Sequence, residues 1–212
     1  NLPFWDKRID LMILTHPHDD HVSGLVEVLK RYEVKRILYT GATHNSPNYL
    51  TWLKTVRDKK VPMSIVDKPK TVALGRGVEL KIFYPERSFL NKEVKDLNDS
   101  SIVMKLIYGQ SAFLLTGDAG LEVEKALLAG GADLTAEVLK VGHHGSEYGT
   151  SQEFLDKVRP RTAVISVGKD NDFGHPNLRI VKRLERAGAR IWRTDLNGTV
   201  RMESDGMNIL IK

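Results

Sequence analysis

The chain has 212 residues, 41% apolar and 28% charged, which is the composition of a folded globular protein and excludes a disordered or fibrous class. With no cysteine, a disulfide scaffold, a thiol nucleophile and thiolate zinc ligation are all excluded. No apolar run approaches the roughly 20 residues that a membrane helix needs. The formal charge of +5 is modest, but it is unevenly spread.

From Lys157 to Arg193 there are ten basic residues (Lys157, Arg159, Arg161, Lys169, Arg179, Lys182, Arg183, Arg186, Arg190, Arg193) against three acids (Asp170, Asp172, Glu185). Such a stretch suits a polyanion-binding surface, or else a solvated helix face. The opening Asn1-Leu2-Pro3-Phe4-Trp5-Asp6 lacks the basic start and apolar core of a signal peptide, and lacks an initiator Met. The expectation is therefore a processed chain or a piece of a longer one.

Short apolar strands alternate with amphipathic helices, which predicts one compact α/β domain over residues 1–212. Ile9 to Leu14 reads as a buried strand ending at Thr15. Leu25, Val28, Leu29 and Tyr32 predict a helix from about Ser23. Arg36 to Tyr39 is the next strand, and Ser46 and Pro47 open a helix running to about Lys59. Val78 to Tyr84 alternates as a strand does, and Ile102 to Tyr108 and Ala112 to Thr116 form a hairpin about Gly109-Gln110. A helix from Gly120 to Leu128 precedes a strand at Val138 to Val141. A helix at Ser151 to Val158, a strand at Ala163 to Val167 and a helix at Asn177 to Ala187 follow. Ile191 to Thr194, Thr199 to Met202 and Met207 to Ile211 are expected strands, joined by hairpin turns at Asn197-Gly198 and Asp205-Gly206.

Six of the seven histidines fall in three short loops at strand ends. His16-Pro17-His18-Asp19-Asp20-His21 places three imidazoles and two carboxylates directly after a strand, where packing gives them no reason to be. Imidazole and carboxylate are ligands for Zn, Mn or Fe. His16 and His18, two apart in extended chain, can lean together over one ion, while Asp20 and His21 at the turn into the helix can address a second. The strand ending Thr116-Gly117-Asp118 offers Asp118 as a bridging carboxylate or as a turn or cap residue. Gly142-His143-His144-Gly145-Ser146 adds two imidazoles after another strand, between glycines that permit close backbone approach. His175, in Gly174-His175-Pro176, can donate to a phosphate oxygen or leaving group. His44 reads as a loop residue, with substrate contact or ligation as alternatives.

This ordered set resembles the metallo-β-lactamase superfamily over nearly the whole chain. His143 to Ser146, Ser166-Val167-Gly168 to Gly174-His175-Pro176, and Arg193 to Gly198 look like the ComEC-like hydrolase domain of competence, or DNA-uptake, proteins. The same branch is similar to phosphorylcholine esterases. The resemblance implies an αββα sandwich, here expected to lack its first strands, and two divalent ions, Zn or Mn. It makes His16 and His18 ligands of one ion, Asp20 and His21 ligands of the other, Asp118 the bridge and His144 the last ligand. His143, Ser146 and His175 then face substrate, and Asp20, Asp118 and His175 serve the chemistry.

The implied activity is phosphodiester hydrolysis by a metal-activated hydroxide, with DNA or another phosphodiester polymer as substrate. The alternatives are a phosphorylcholine-esterase-like or other small-ester hydrolase, and an inactive metal-containing DNA-binding module. A ComEC-like setting implies a soluble domain attached to the cell membrane through a membrane-embedded parent chain; no protein partner can be inferred. Where many superfamily members carry a further His ligand, Leu97-Asn98-Asp99-Ser100-Ser101 has none, as in the ComEC-like group, which implies a thinner shell around the first ion.

Overall fold

In the computed structural model, which describes residues 5–212, the apolar run after Lys7 forms two strands rather than one. These are β1 (Arg8–Ile9) and β2 (Met12–Ile13), separated by a bend at Asp10. The leader reading of Asn1 to Phe4 falls outside the described residues. Helix α1 (Asp19–Arg31) begins four residues before the predicted Ser23. Asp19 and Asp20 fill its first turn and Lys30 and Arg31 its last, so its charges oppose the helix dipole at both ends. After β3 (Glu33–Val34) and β4 (Ile37–Tyr39) comes α2 (Pro47–Asp58), where the Ser46 Oγ accepts from the Tyr49 N–H at 3.3 Å and Pro47 opens the helix. Strand β5 (Met63–Ile65) was not predicted.

Two compact units divide the chain: one runs to Lys68 and includes Pro85–Ile102, the other comprises Pro69–Tyr84 and Val103–Lys212. In the first, β1 pairs with β3, and β2, β4 and β5 form a parallel three-stranded sheet. Val22, Val26 and Leu29 of α1 and Tyr49, Trp52 and Val56 of α2 close its core. Trp52 is fully buried and stacks on Tyr49 with ring centroids 5.7 Å apart. Trp52→Ala is therefore expected to cost about 3–5 kcal/mol. A denaturant titration would show it as a lower midpoint at unchanged slope.

The second unit is built on a seven-stranded sheet of β6 (Lys70–Gly75), β7 (Val78–Tyr84), β8 (Val103–Tyr108), β9 (Ser111–Leu115), β10 (Val138–Lys140), β11 (Thr162–Ile165) and β12 (Arg190–Arg193), neighbours in that order. Its β6 to β9 half is an antiparallel meander and its β9 to β12 half is parallel. Helices α3 (Leu121–Ala129), α4 (Gln152–Val158) and α5 (Leu178–Arg186) bury Val123, Leu127, Phe154, Leu155, Ile180 and Leu184 with the sheet's Leu114, Leu139 and Ile165.

The expected Asn197-Gly198 hairpin is instead a helical turn, α6 (Thr194–Asn197). Local bonds favour it: Arg193 N–H donates to Asn197 Oδ1 at 2.9 Å, Gly198 N–H to Thr194 O at 3.1 Å, and Arg193 pairs with Asp195. The strand expected at Thr199 to Met202 shifts to β13 (Met202–Ser204), which pairs antiparallel with β14 (Ile209–Ile211) across Asp205-Gly206 as predicted. Among the described residues no helix is long and apolar enough to cross a membrane.

Candidate metal centre

Parallel strands share an edge for their carboxyl ends, and in open α/β sheets that edge collects ligand-binding loops. In the first unit, β2 leads into the loop of His16, Pro17 and His18, and its parallel neighbour β4 leads into Thr40 to Ser46. Three imidazoles of the first loop converge: the His16 ring centroid lies 4.9 Å from that of His18 and 4.2 Å from that of His21. His16 is buried at 1% exposure, and its Nδ1 lies 3.2 Å from Thr15 Oγ1 and 3.3 Å from Ser101 Oγ. Those hydroxyls hold the ring through its Nδ1 edge.

His18 is the residue preceding α1, and its carbonyl accepts from the N–H groups of His21 and Val22, so backbone bonds set the spacing of the ligand candidates. Asp20 Oδ2 is 3.5 Å from His21 Nε2, and the Asp20 side chain is exposed. His44, read as a plain loop residue, stands with its ring 5.9 Å from that of His18. Its loop is held at 2.5 Å by Ser46 Oγ donating to Asp19 Oδ1, and by Tyr49 Oη donating to Ala42 O at 3.1 Å.

In the second unit the parallel register of β9, β10 and β11 lines up the loops that follow them. Asp118 follows β9 with its side chain 3% exposed. Lys140, at the end of β10, approaches Asp118 Oδ1 to 3.5 Å and donates to Gly117 O at 2.9 Å, so the buried carboxylate keeps a cationic neighbour. His143 and His144 both adopt left-handed backbone (φ 47 and 54), an arrangement costing about 1–3 kcal/mol per residue and typical of functional loops. His144 Nδ1 is 2.6 Å from Ser166 O. A carbonyl only accepts, so that nitrogen carries a proton, and in the neutral ring Nε2 presents the lone pair.

His144 Nε2 in turn lies 3.2 Å from Asp118 Oδ2. A lone pair facing a carboxylate oxygen is a donor arrangement that a cation completes, with the ring oriented through its far nitrogen as metal-binding histidines are. In the first unit, Asn98, at the position of the missing His, has its Oδ1 buried without a hydrogen-bond partner. Within that unit this oxygen and the imidazoles of His16, His18 and His21 are donors of the type that suits a divalent cation.

His175 lies after β11, its ring 5.7 Å from that of His143. Burial pushes its pKa below the usual histidine value, and the neighbouring His143 and His144 add to the depression against a smaller opposing pull from Asp118. Sequence reading missed the residue that holds it: Asn171 Oδ1 accepts from His175 N–H at 3.0 Å, and Asn171 Nδ2 donates to His175 O at 2.7 Å. Asn171 lies four residues before His175, within the stretch used for the resemblance, and Asx side chains that organise turns are the signal that exposes it. Ser146 is buried at 2% exposure, and its Oγ accepts from the Tyr148 N–H at 3.4 Å.

A seven-stranded mixed sheet flanked by helices, with Asp and His-His loops at its strand ends, and a separate parallel sheet whose β2 leads into a His-rich loop, are features of a metal-dependent hydrolase family. The model of the metallo-β-lactamase superfamily matches residues 6–169, and the chain belongs to that superfamily. The chain is similar to ComE operon protein 3 of Bacillus subtilis, 32% identical over 194 residues, covering 92% of the chain and 24% of that protein. It is also similar to the competence protein ComA of Neisseria gonorrhoeae, 30% identical over 200 residues, covering 92% of the chain and 25% of that protein. The chain thus spans about a quarter of the length of the curated relatives it matches. Among solved structures, the fold resembles CmlA, a diiron β-hydroxylase from Streptomyces venezuelae, with a TM-score of 0.56 at 16% identity over 91% of this chain and 44% of that one.

Proposed function

We propose that the chain is a metal-dependent phosphodiester hydrolase that cleaves DNA. His16, His18, Asp20, His21, Asp118 and His144 would hold two divalent cations, Zn or Mn. The observation that carries the metal part is the Ser166–His144–Asp118 arrangement, in which a buried carboxylate faces the lone pair of an oriented imidazole. The substrate part is supported by the similarity to competence proteins and by the ten basic residues between Lys157 and Arg193. We read the 212 residues as one hydrolase domain and, by analogy with the longer relatives, as part of a membrane-attached parent chain.

The cations, when bound, supply Lewis acidity and an acidified water. The protein's own groups do the rest. Asp20, exposed and anionic, accepts the proton of the attacking water. Asp118, with Lys140 Nζ at 3.5 Å, fixes the ring edge of His144. His175, kept neutral near pH 7 by its lowered pKa, donates a ring N–H to a phosphate oxygen, and His143 packs against it.

The test is hydrolysis of single-stranded and duplex DNA, of bis(4-nitrophenyl) phosphate and of a β-lactam by protein loaded with Mn or Zn, and by His18→Ala. We expect metal-dependent cleavage of the phosphodiesters, lost on chelation and reduced at least a hundredfold in His18→Ala. Cleavage of the β-lactam alone, or DNA binding without turnover, would overturn it.

A further inference from the structure

The loop between β11 and α5 holds an aromatic ring out in solvent although nothing in its own packing requires it. Phe173 is 81% exposed, the side chain of a residue type usually buried. Its position is not slack. Asn171 Oδ1 accepts from the Phe173 N–H at 3.2 Å as well as from His175, and Asn171 Nδ2 donates to Gly168 O at 3.1 Å, so one side chain clamps the turn from both ends. The Phe173 ring stacks on His175 with centroids 5.9 Å apart and planes only 19° from parallel. One face of Phe173 is thus spent on a histidine of the proposed site, which leaves the other open.

The loop itself carries Asp170 and Asp172, and the excess of basic charge lies on the helix that follows it. Arg179, Lys182 and Arg186 recur at three- and four-residue spacing along the exposed side of α5, the helix that follows this loop, opposite the buried Ile180 and Leu184. An open aromatic face in a loop that leads into a helix bearing a row of cations, of which Arg179 also pairs with Glu147 at 3.5 Å, matches single-stranded nucleic acid, in which bases are free to stack and phosphates attract cations. Duplex DNA keeps its bases stacked on one another and offers Phe173 no open face. A quaternary ammonium headgroup also binds aromatic faces, but it carries no anion for the basic row of α5, and competition by phosphorylcholine separates the two.

We propose that Phe173 is a stacking platform for a nucleobase next to the scissile phosphate, so that the enzyme takes single strands in preference to duplex. This rests on the phosphodiesterase reading of the site and names its substrate class.

The test compares equilibrium binding of metal-loaded wild-type protein, Phe173→Ala and Phe173→Trp to three phosphorothioate-linked probes that resist cleavage: oligothymidine, an abasic strand of equal length, and a duplex. Fluorescence anisotropy at one fixed salt concentration gives the affinities. We expect Phe173→Ala to weaken oligothymidine binding by roughly ten- to a hundredfold, to leave the abasic strand unchanged, and Phe173→Trp to restore wild-type affinity. Equal affinity of all three proteins for oligothymidine, tighter binding of duplex than of single strand, or displacement of oligothymidine by phosphorylcholine from wild type but not from Phe173→Ala would each overturn the proposal. Wild-type turnover of bis(4-nitrophenyl) phosphate, measured in parallel, reports on the phosphodiesterase reading alone, so the two can fail separately.

Discussion

Asp118→Ala is expected to lower phosphodiester turnover by about a thousandfold or more while leaving the protein folded. The side chain is 3% exposed, yet its neighbours are Lys140 Nζ at 3.5 Å and His144 Nε2 at 3.2 Å, which is a cluster arranged around charge and not around volume. Lys140 keeps 22% side-chain exposure and a separate bond to Gly117 O, so it can hydrate once its partner is gone and the fold loses little. Function loses far more, because His144 is then oriented by Ser166 toward a site without its carboxylate. Losing stabilisation of several kcal/mol in the transition state corresponds to about three powers of ten in rate. Metal content by mass spectrometry should fall together with turnover, and circular dichroism should match wild type. Turnover within tenfold of wild type at full metal content would remove Asp118 from the site.

How much of this was legible beforehand depended on whether the cause of each feature is local. The His16 to His21 loop could be read because three imidazoles and two carboxylates after a strand have no packing rationale. The same motif obscured where α1 begins. Asp19 and Asp20 looked like chemistry, whereas they also occupy the first helical turn, where acids oppose the dipole. Strand β6 escaped because it is a sheet edge whose residues are mostly exposed, so its alternation is short: Val72 and Leu74 share one face, and the strand ends at Gly75.

His44 reads as a plain loop residue in sequence because its neighbour is made by the parallel pairing of Met12 with Ile37 and Ile13 with Leu38, which brings the two following loops to one edge. No pattern inside either segment encodes that pairing. The turn at Asn197-Gly198 fits a hairpin by composition, and the competing bond from Arg193 N–H to Asn197 Oδ1 decides otherwise.

Gly145→Ala is expected to destabilise the protein by about 2–4 kcal/mol and to cost roughly a hundredfold in turnover, although residue 145 carries no reactive group. Its φ of +82 is left-handed backbone, and a Cβ there would stand 2.7 Å from Pro176 Cβ and 3.4 Å from Ile165 Cγ2. Pro176 cannot retreat cheaply, because the adjacent Asn177 N–H donates to Gly145 O at 2.9 Å and holds the two loops together. The strain would pass in both directions. On one side lies His144, already left-handed and held by Ser166 O; on the other lies His175, the residue before Pro176. Displacing either by about 1 Å is enough for the expected rate loss. Gly168→Ala is the control, since a Cβ there meets nothing within 4 Å. Thermal unfolding and turnover below both melting points separate the cases. If Gly145→Ala melts and turns over like Gly168→Ala, the contact between the two loops does not position the histidines.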